Sequence, residues 1–169
     1  MSKAVILIAD HYQDLEVWYP LLRLREASWT VITAGVEAKK NYAGKNGYPI
    51  TVDTSVEELD PSEFDAVIVP GGWAPDIIRR NQTALDLVSS LNSAGKIIAS
   101  ICHGGWVLAS AKMLAGRQCT SFSAIKDDMI HAGAKWVDQE VVVDRNLITS
   151  RKPDDLPAFC RAILEAAKA

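Results

Sequence analysis

Cysteine is scarce here and never paired by spacing: Cys102, Cys119 and Cys160 form an odd set of three with no C-x-x-C among 169 residues. That pattern argues against a disulfide framework and against a thiolate zinc site, so reduced thiols are expected. Positive charge is equally thin in runs. Beyond Lys39-Lys40 and Arg79-Arg80 there is no basic stretch, and with a net charge of −3 the chain carries no electrostatic footprint for nucleic acid or an anionic membrane. Long apolar runs are missing too. The first, Ala4 to Ala9, ends at Asp10, too short for a signal-peptide core or a transmembrane helix, so a cytoplasmic location is expected. No linker, repeat or low-complexity tract interrupts the pattern, and one domain over residues 1–169 is expected.

What remains is ordinary globular composition, 49% hydrophobic and 23% charged, which excludes disorder. Short β-branched runs alternate with longer amphipathic stretches. Strands are predicted at Val5–Ile8, Thr30–Thr33, Ala66–Val69, Ile97–Ile101, Val141–Val143 and Leu147–Thr149, and helices at 14–27, 85–94, 105–113 and 156–167. Continuous apolar strands suit a mostly parallel sheet covered on both faces, an α/β fold. The segment Lys39 to Thr51, with Gly44 and Gly47, reads as a hairpin added at an edge. In the first helix Leu15, Trp18 and Leu22, with Leu21 beside them, give an apolar face, and Asp14 is the expected N-cap.

The most informative segment is Ile97-Ile98-Ala99-Ser100-Ile101-Cys102-His103-Gly104-Gly105-Trp106. An apolar strand runs straight into a helix with a cysteine at the junction, the layout of a nucleophile elbow. Such a turn crowds the residues two before and two after the nucleophile, and Ser100 and Gly104 are both small. An isolated cysteine on an apolar strand reads first as inert core; this frame favours a nucleophile whose thiolate the helix N-terminus would stabilise.

A second strand ends in Pro70-Gly71-Gly72, where an amide of Gly71 or Gly72 could join that of His103 as an oxyanion hole; a plain tight turn is the bland alternative. Glu16 lies near the same sheet end. It reads either as a carboxyl complementing the helix dipole or as an acid beside the thiol. His103 is the general base by residue type, with Asp76 as the carboxylate that would orient it. His11 and His131 read as surface or satisfied histidines, with His11 able to enter the pocket from the first loop, and Cys119 and Cys160 read as structural.

The residues Pro70-Gly71-Gly72, Ala99-Ser100-Ile101-Cys102-His103-Gly104 and Asp14-Leu15-Glu16 closely resemble the PfpI-type branch of the class I glutamine amidotransferase-like superfamily. Lys126–Ile130, Glu140–Asp144, Ser150-Arg151 and Pro153–Pro157 look like segments of the same family, so the likeness spans nearly the whole chain. The resemblance implies a flavodoxin-like three-layer sandwich, a homodimer or hexamer, and Cys102 as nucleophile with Glu16 as its carboxyl partner. Some members are described as intracellular cysteine peptidases with a Cys-His-acid triad completed by a glutamate of a neighbouring subunit; Asp76 stands at that position here. Related stress proteins with aspartate there are described as deglycases or glyoxalase-like enzymes. Gly105 replaces a usual proline.

The leading expectation is therefore a cysteine-dependent enzyme for reactive carbonyls, free or as glycated-protein adducts. Cys102 attacks, Glu16 and His103 move protons, and the Gly72 and His103 amides steady the oxyanion. No metal or organic cofactor is implied. Peptide hydrolysis with His103 and Asp76 paired across subunits is the second reading, and a Cys102 redox sensor or chaperone without turnover the third.

Overall fold

The computed structural model describes residues 2–168. In chain order the elements are β1 (Lys3–Ile8), α1 (Asp14–Glu26), β2 (Thr30–Gly35), β3 (Asn41–Ala43), β4 (Pro49–Thr51), β5 (Thr54–Ser55) and β6 (Ala66–Val69). Then follow α2 (Ala74–Ile78), α3 (Gln82–Ser93), β7 (Ile97–Ile101), α4 (Gly105–Ser110), β8 (Gln118–Cys119), α5 (Lys126–His131), β9 (Lys135–Trp136), β10 (Val141–Asp144), β11 (Leu147–Ser150) and α6 (Leu156–Ala166).

Seven strands form the main sheet in the order β10-β11-β7-β6-β1-β2-β5. All pairings are parallel except β10 with β11. The strands β1, β6 and β7 are apolar on both faces because both are covered: α1 and α6 pack on one side, α3 and α4 on the other. In α6 the residues Leu156, Phe159, Cys160 and Ile163 recur at helical spacing and are all buried. The result is a flavodoxin-like sandwich. The strand order β2-β1-β6-β7-β11 puts its switch point between β1 and β6, and the crevice of such a sheet opens there, beyond the carboxyl ends.

Two local expectations are corrected. In α1 the inward face is Val17, Leu21 and Leu24, with Glu16 buried beside them, while Leu15 and Leu22 are 55% and 58% exposed. Apolar residues lie on both sides of this helix, so periodicity alone selects the wrong face. The N-cap is Gln13, whose side chain accepts from the Glu16 N–H at 3.0 Å. Asp14 instead accepts from Asn46 N, Asn46 Nδ2 and Tyr48 N, at 3.1, 2.9 and 3.2 Å.

That second correction explains the hairpin. β3 and β4 form a separate two-stranded sheet rather than extending the edge of the main one. It docks on the loop after β1: His11 N donates to Ala43 O and Lys45 N to Tyr12 O, both at 2.8 Å. Tyr12 bridges Gly44 on one side and Gly72 on the other. The hairpin tip and the turns after β1, β6 and β7 therefore converge on the switch point.

Candidate active site

Cys102 follows β7 directly and has φ of 61°, in the left-handed region. For a residue with a Cβ that conformation costs on the order of 1–3 kcal/mol, held here by the surrounding turn. The crowding expected of an elbow is present. A Cβ on Gly104 would lie 2.6 Å from Ser100 Oγ and 2.6 Å from the Val69 carbonyl oxygen. The Cys102 carbonyl accepts from Phe122 N at 3.1 Å, which fixes the elbow to the segment after β8.

Glu16 comes from the first turn of α1 and is fully buried. Its Oε2 accepts from the Gly71 N–H at 2.7 Å, and the Cys102 thiol lies against the same carboxyl. Oε1 makes no hydrogen bond of standard geometry among the described residues. Burial pushes the Glu16 carboxyl up to about 7, only partly offset by the Gly71 amide, the thiol and the charge of Lys45.

The thiol is moved opposite to the sequence expectation. Burial and then the Glu16 charge push Cys102 up to about 12, against amide hydrogen bonds from Gly72 and His103 that pull it down. The helix end supplies the expected dipoles, but desolvation outweighs them. Gly71 is also corrected as an oxyanion donor, because its N–H is already given to Glu16; the Gly72 and His103 amides are the ones turned to the sulfur.

His103 places Nδ1 3.3 Å from Cys102 Sγ. Its ring stacks on Phe122 with centroids 5.1 Å apart and meets the Trp106 edge at 5.2 Å. Burial, then the nearby Lys45 charge, hold the imidazole below its usual value, so it is neutral at physiological pH. Within one chain Asp76 does not reach it: that carboxylate is 61% exposed on α2, where it pairs with Arg80 at 3.1 Å, and the expected pairing is one between subunits. His11 and His131 are exposed, and Cys119 and Cys160 are buried free thiols that do not line the cavity over Cys102.

A cavity of ≈ 230 Å³ opens over Cys102, His103 and Glu16, with Trp73 and Phe122 on its walls. Three further lining residues, Gln13, Lys45 and Pro153, were not legible as site residues. Pro153 is held by a clamp: Arg151 donates to Asp155 from Nε at 2.9 Å and from a terminal nitrogen at 3.0 Å, and to Asp138 at 2.7 Å.

The fold and the elbow define a flavodoxin-like sandwich with a cysteine beside a buried carboxyl at its switch point. The DJ-1/PfpI family profile matches residues 2–166, and the chain belongs to that family. A Pyrococcus abyssi protein named deglycase is 46% identical over 166 residues, 98% of this chain and 99% of that one. Protein/nucleic acid deglycase 2 of Escherichia coli is 42% identical and aligned over 97% of each chain. Among solved structures, a two-domain Anabaena variabilis protein with DJ-1/ThiJ/PfpI-like and ferritin-like domains superposes with a TM-score of 0.97 at 41% identity. The match covers 99% of this chain and 48% of that one, so this chain spans about half its length. No helix of the described residues is long and apolar enough to cross a membrane.

Proposed function

We propose that this chain is a cysteine-dependent enzyme acting on reactive carbonyls, a deglycase or glyoxalase-like catalyst for methylglyoxal and glyoxal and their adducts on thiols and amines. The observation that carries this reading is Glu16, buried against Cys102 at the base of a ≈ 230 Å³ cavity with an acid–base value of about 7. Pockets for drug-sized ligands run to roughly 300–1,000 Å³, so this one suits a two- or three-carbon carbonyl. The relatives named deglycase support the same class.

The chemistry needs one nucleophile and two proton carriers. Ionised Glu16 takes the thiol proton as Sγ bonds to the aldehyde carbon and the carbonyl electron pair moves to oxygen. The Gly72 and His103 amides stabilise that charge until Glu16 returns the proton, giving a thiohemiacetal. Neutral His103 removes the C1 hydrogen as a proton and, as the imidazolium, returns it to C2, while the hydroxyl proton passes from the C1 oxygen to the C2 oxygen, so the methylglyoxal adduct becomes its isomer, a lactoyl thioester. One carbon is oxidised and its neighbour reduced. Water then cleaves the thioester, so the net change is methylglyoxal plus water to lactate with the thiol restored.

Peptide hydrolysis is the second reading; it needs Asp76, exposed on α2 beside Arg80, to orient His103 of a neighbouring subunit, whereas the carbonyl chemistry is complete within one chain. A sensor role would want an exposed, acidified thiol, and Cys102 is 8% exposed and pushed up to about 12. The test is methylglyoxal consumption and lactate formation by the purified protein beside Cys102→Ala and Glu16→Ala, with casein and peptide hydrolysis in parallel. Lactate formation that disappears in Cys102→Ala is the expected result. Peptide cleavage without lactate formation would overturn the reading, as would inactivity in both assays.

A further inference from the structure

The β3–β4 hairpin is fastened with more hydrogen bonds than a surface excursion requires. Its tip, Gly44 to Tyr48, is held by Asp14 through Asn46 and Tyr48, by Tyr12 O through Lys45 N, and by the Tyr12 hydroxyl, which donates to Tyr48 O at 2.6 Å. The residue so presented is Lys45, whose side chain lines the cavity above Cys102.

Its charge acts on Glu16 and His103 but is held by no carboxylate in an ion pair among the described residues. Lys3, Lys39, Lys96 and Lys152 each pair with a carboxylate, and Lys39 on the approach to the same hairpin is engaged by Asp10 and Glu37. Lys45 has no ion pair among the described residues. Of the other polar side chains at the cavity, Gln13 and neutral His103 carry no charge, while Glu16 adds a negative one above about pH 7. An ammonium at the cavity wall, near enough to act on Glu16 and His103, also favours an anionic group entering the cavity, most of all while Glu16 is protonated.

We propose that Lys45 is a specificity-determining residue, and that the hairpin delivers it to the cavity wall so that the site prefers carbonyl adducts carrying a carboxylate over neutral ones of the same shape. The assignment rests on the carbonyl reading for its substrate class, while the role of the cation is separable from it. Exposure screens the ammonium, so the preference is modest, about threefold, and weakens as ionic strength rises.

Two charge-matched pairs of probes test this. The first is iodoacetate against iodoacetamide, with alkylation of Cys102 followed by mass spectrometry in wild type, Lys45→Met and Lys45→Arg. The iodoacetate-to-iodoacetamide rate ratio should fall about threefold in Lys45→Met and be retained in Lys45→Arg. The second pair is the methylglyoxal hemithioacetals of N-acetylcysteine and N-acetylcysteine amide. Their ratio of kcat/KM should fall by the same factor in Lys45→Met. An alkylation ratio that does not respond to Lys45→Met overturns the assignment whatever the turnover. A ratio that responds, with neither hemithioacetal turned over by wild type, overturns the carbonyl reading and with it the substrate class, while the cation's role stands.

Discussion

Gly71 abuts Cys102 so closely that a Cβ at position 71 would lie 2.9 Å from Sγ, and the same Cβ would fall 2.5 Å from Glu16 Oε2. The glycine is the spacer between the acid and the thiol. Gly71→Ala must therefore push the two apart, and kcat/KM for methylglyoxal should fall by at least about tenfold, as misplacement of reacting groups does. Lactate formation measures this and the thermal midpoint monitors folding. Undiminished kcat/KM in a folded Gly71→Ala would show that the spacing is not used.

Glu16 ties pH to both stability and rate. Its carboxyl sits at about 7 in the fold against an ordinary 4.5. Below pH 4.5 it is protonated folded and unfolded alike, and no penalty applies. Above about 7 the fold must hold a buried carboxylate, at a cost of about 3 kcal/mol. Glu16→Gln should thus gain about that much relative to wild type on going from acid to mildly alkaline pH, read from urea midpoints across the range.

The rate should move the other way. Since the thiol proton passes to ionised Glu16, kcat/KM of wild type should climb as pH rises through about 7. Glu16→Gln should lose about a hundredfold and show no inflection there. A pH profile with its inflection intact in Glu16→Gln would assign it to another group.

Gly104→Ala tests the elbow itself. The added methyl meets the Val69 carbonyl oxygen, which is backbone and cannot swing away, as well as Ser100 Oγ. A cost of about 1–3 kcal/mol is expected by chemical denaturation. Removing the hydroxyl with Ser100→Ala should recover only part of it, because Val69 remains; full recovery would place the clash at the side chain alone.

Arg151→Ala should destabilise by about 2 kcal/mol, because it strips Asp155, 4% exposed, of the charged partner that holds it. A double change with Asp155→Asn separates lost pairing from the stranded carboxylate. If the double variant is no more stable than Arg151→Ala, the stranded charge is not the cause.

Much of this architecture was legible in one dimension, and the failures share a cause. The runs Ala66–Val69 and Ile97–Ile101 became strands with the same bounds, since a strand buried on both faces has no polar residue to blur its limits. The elbow was legible because its steric demand falls on neighbours in sequence, Ser100 and Gly104. Lys45, Gln13 and Pro153 were not, because nothing local marks a hairpin tip, a cap or a clamped turn as the wall of a distant cavity. The inward face of α1 failed similarly: only the sheet beneath decides between Leu22 and Leu24. Nor does a cysteine's own neighbourhood reveal how deeply it will be desolvated.

The switch-point placement has a consequence for the order of assembly. Glu16 and Gly71 are 55 positions apart, and Cys102 comes from a further strand, joined to them only through parallel pairings of β1, β6 and β7. Parallel strands pair late, after long chain segments have been closed. A partly folded chain therefore carries an ordinary solvated thiol and an ordinary carboxyl. Reactivity arrives with the last non-local contacts, so recovery of turnover on refolding should lag behind recovery of helix.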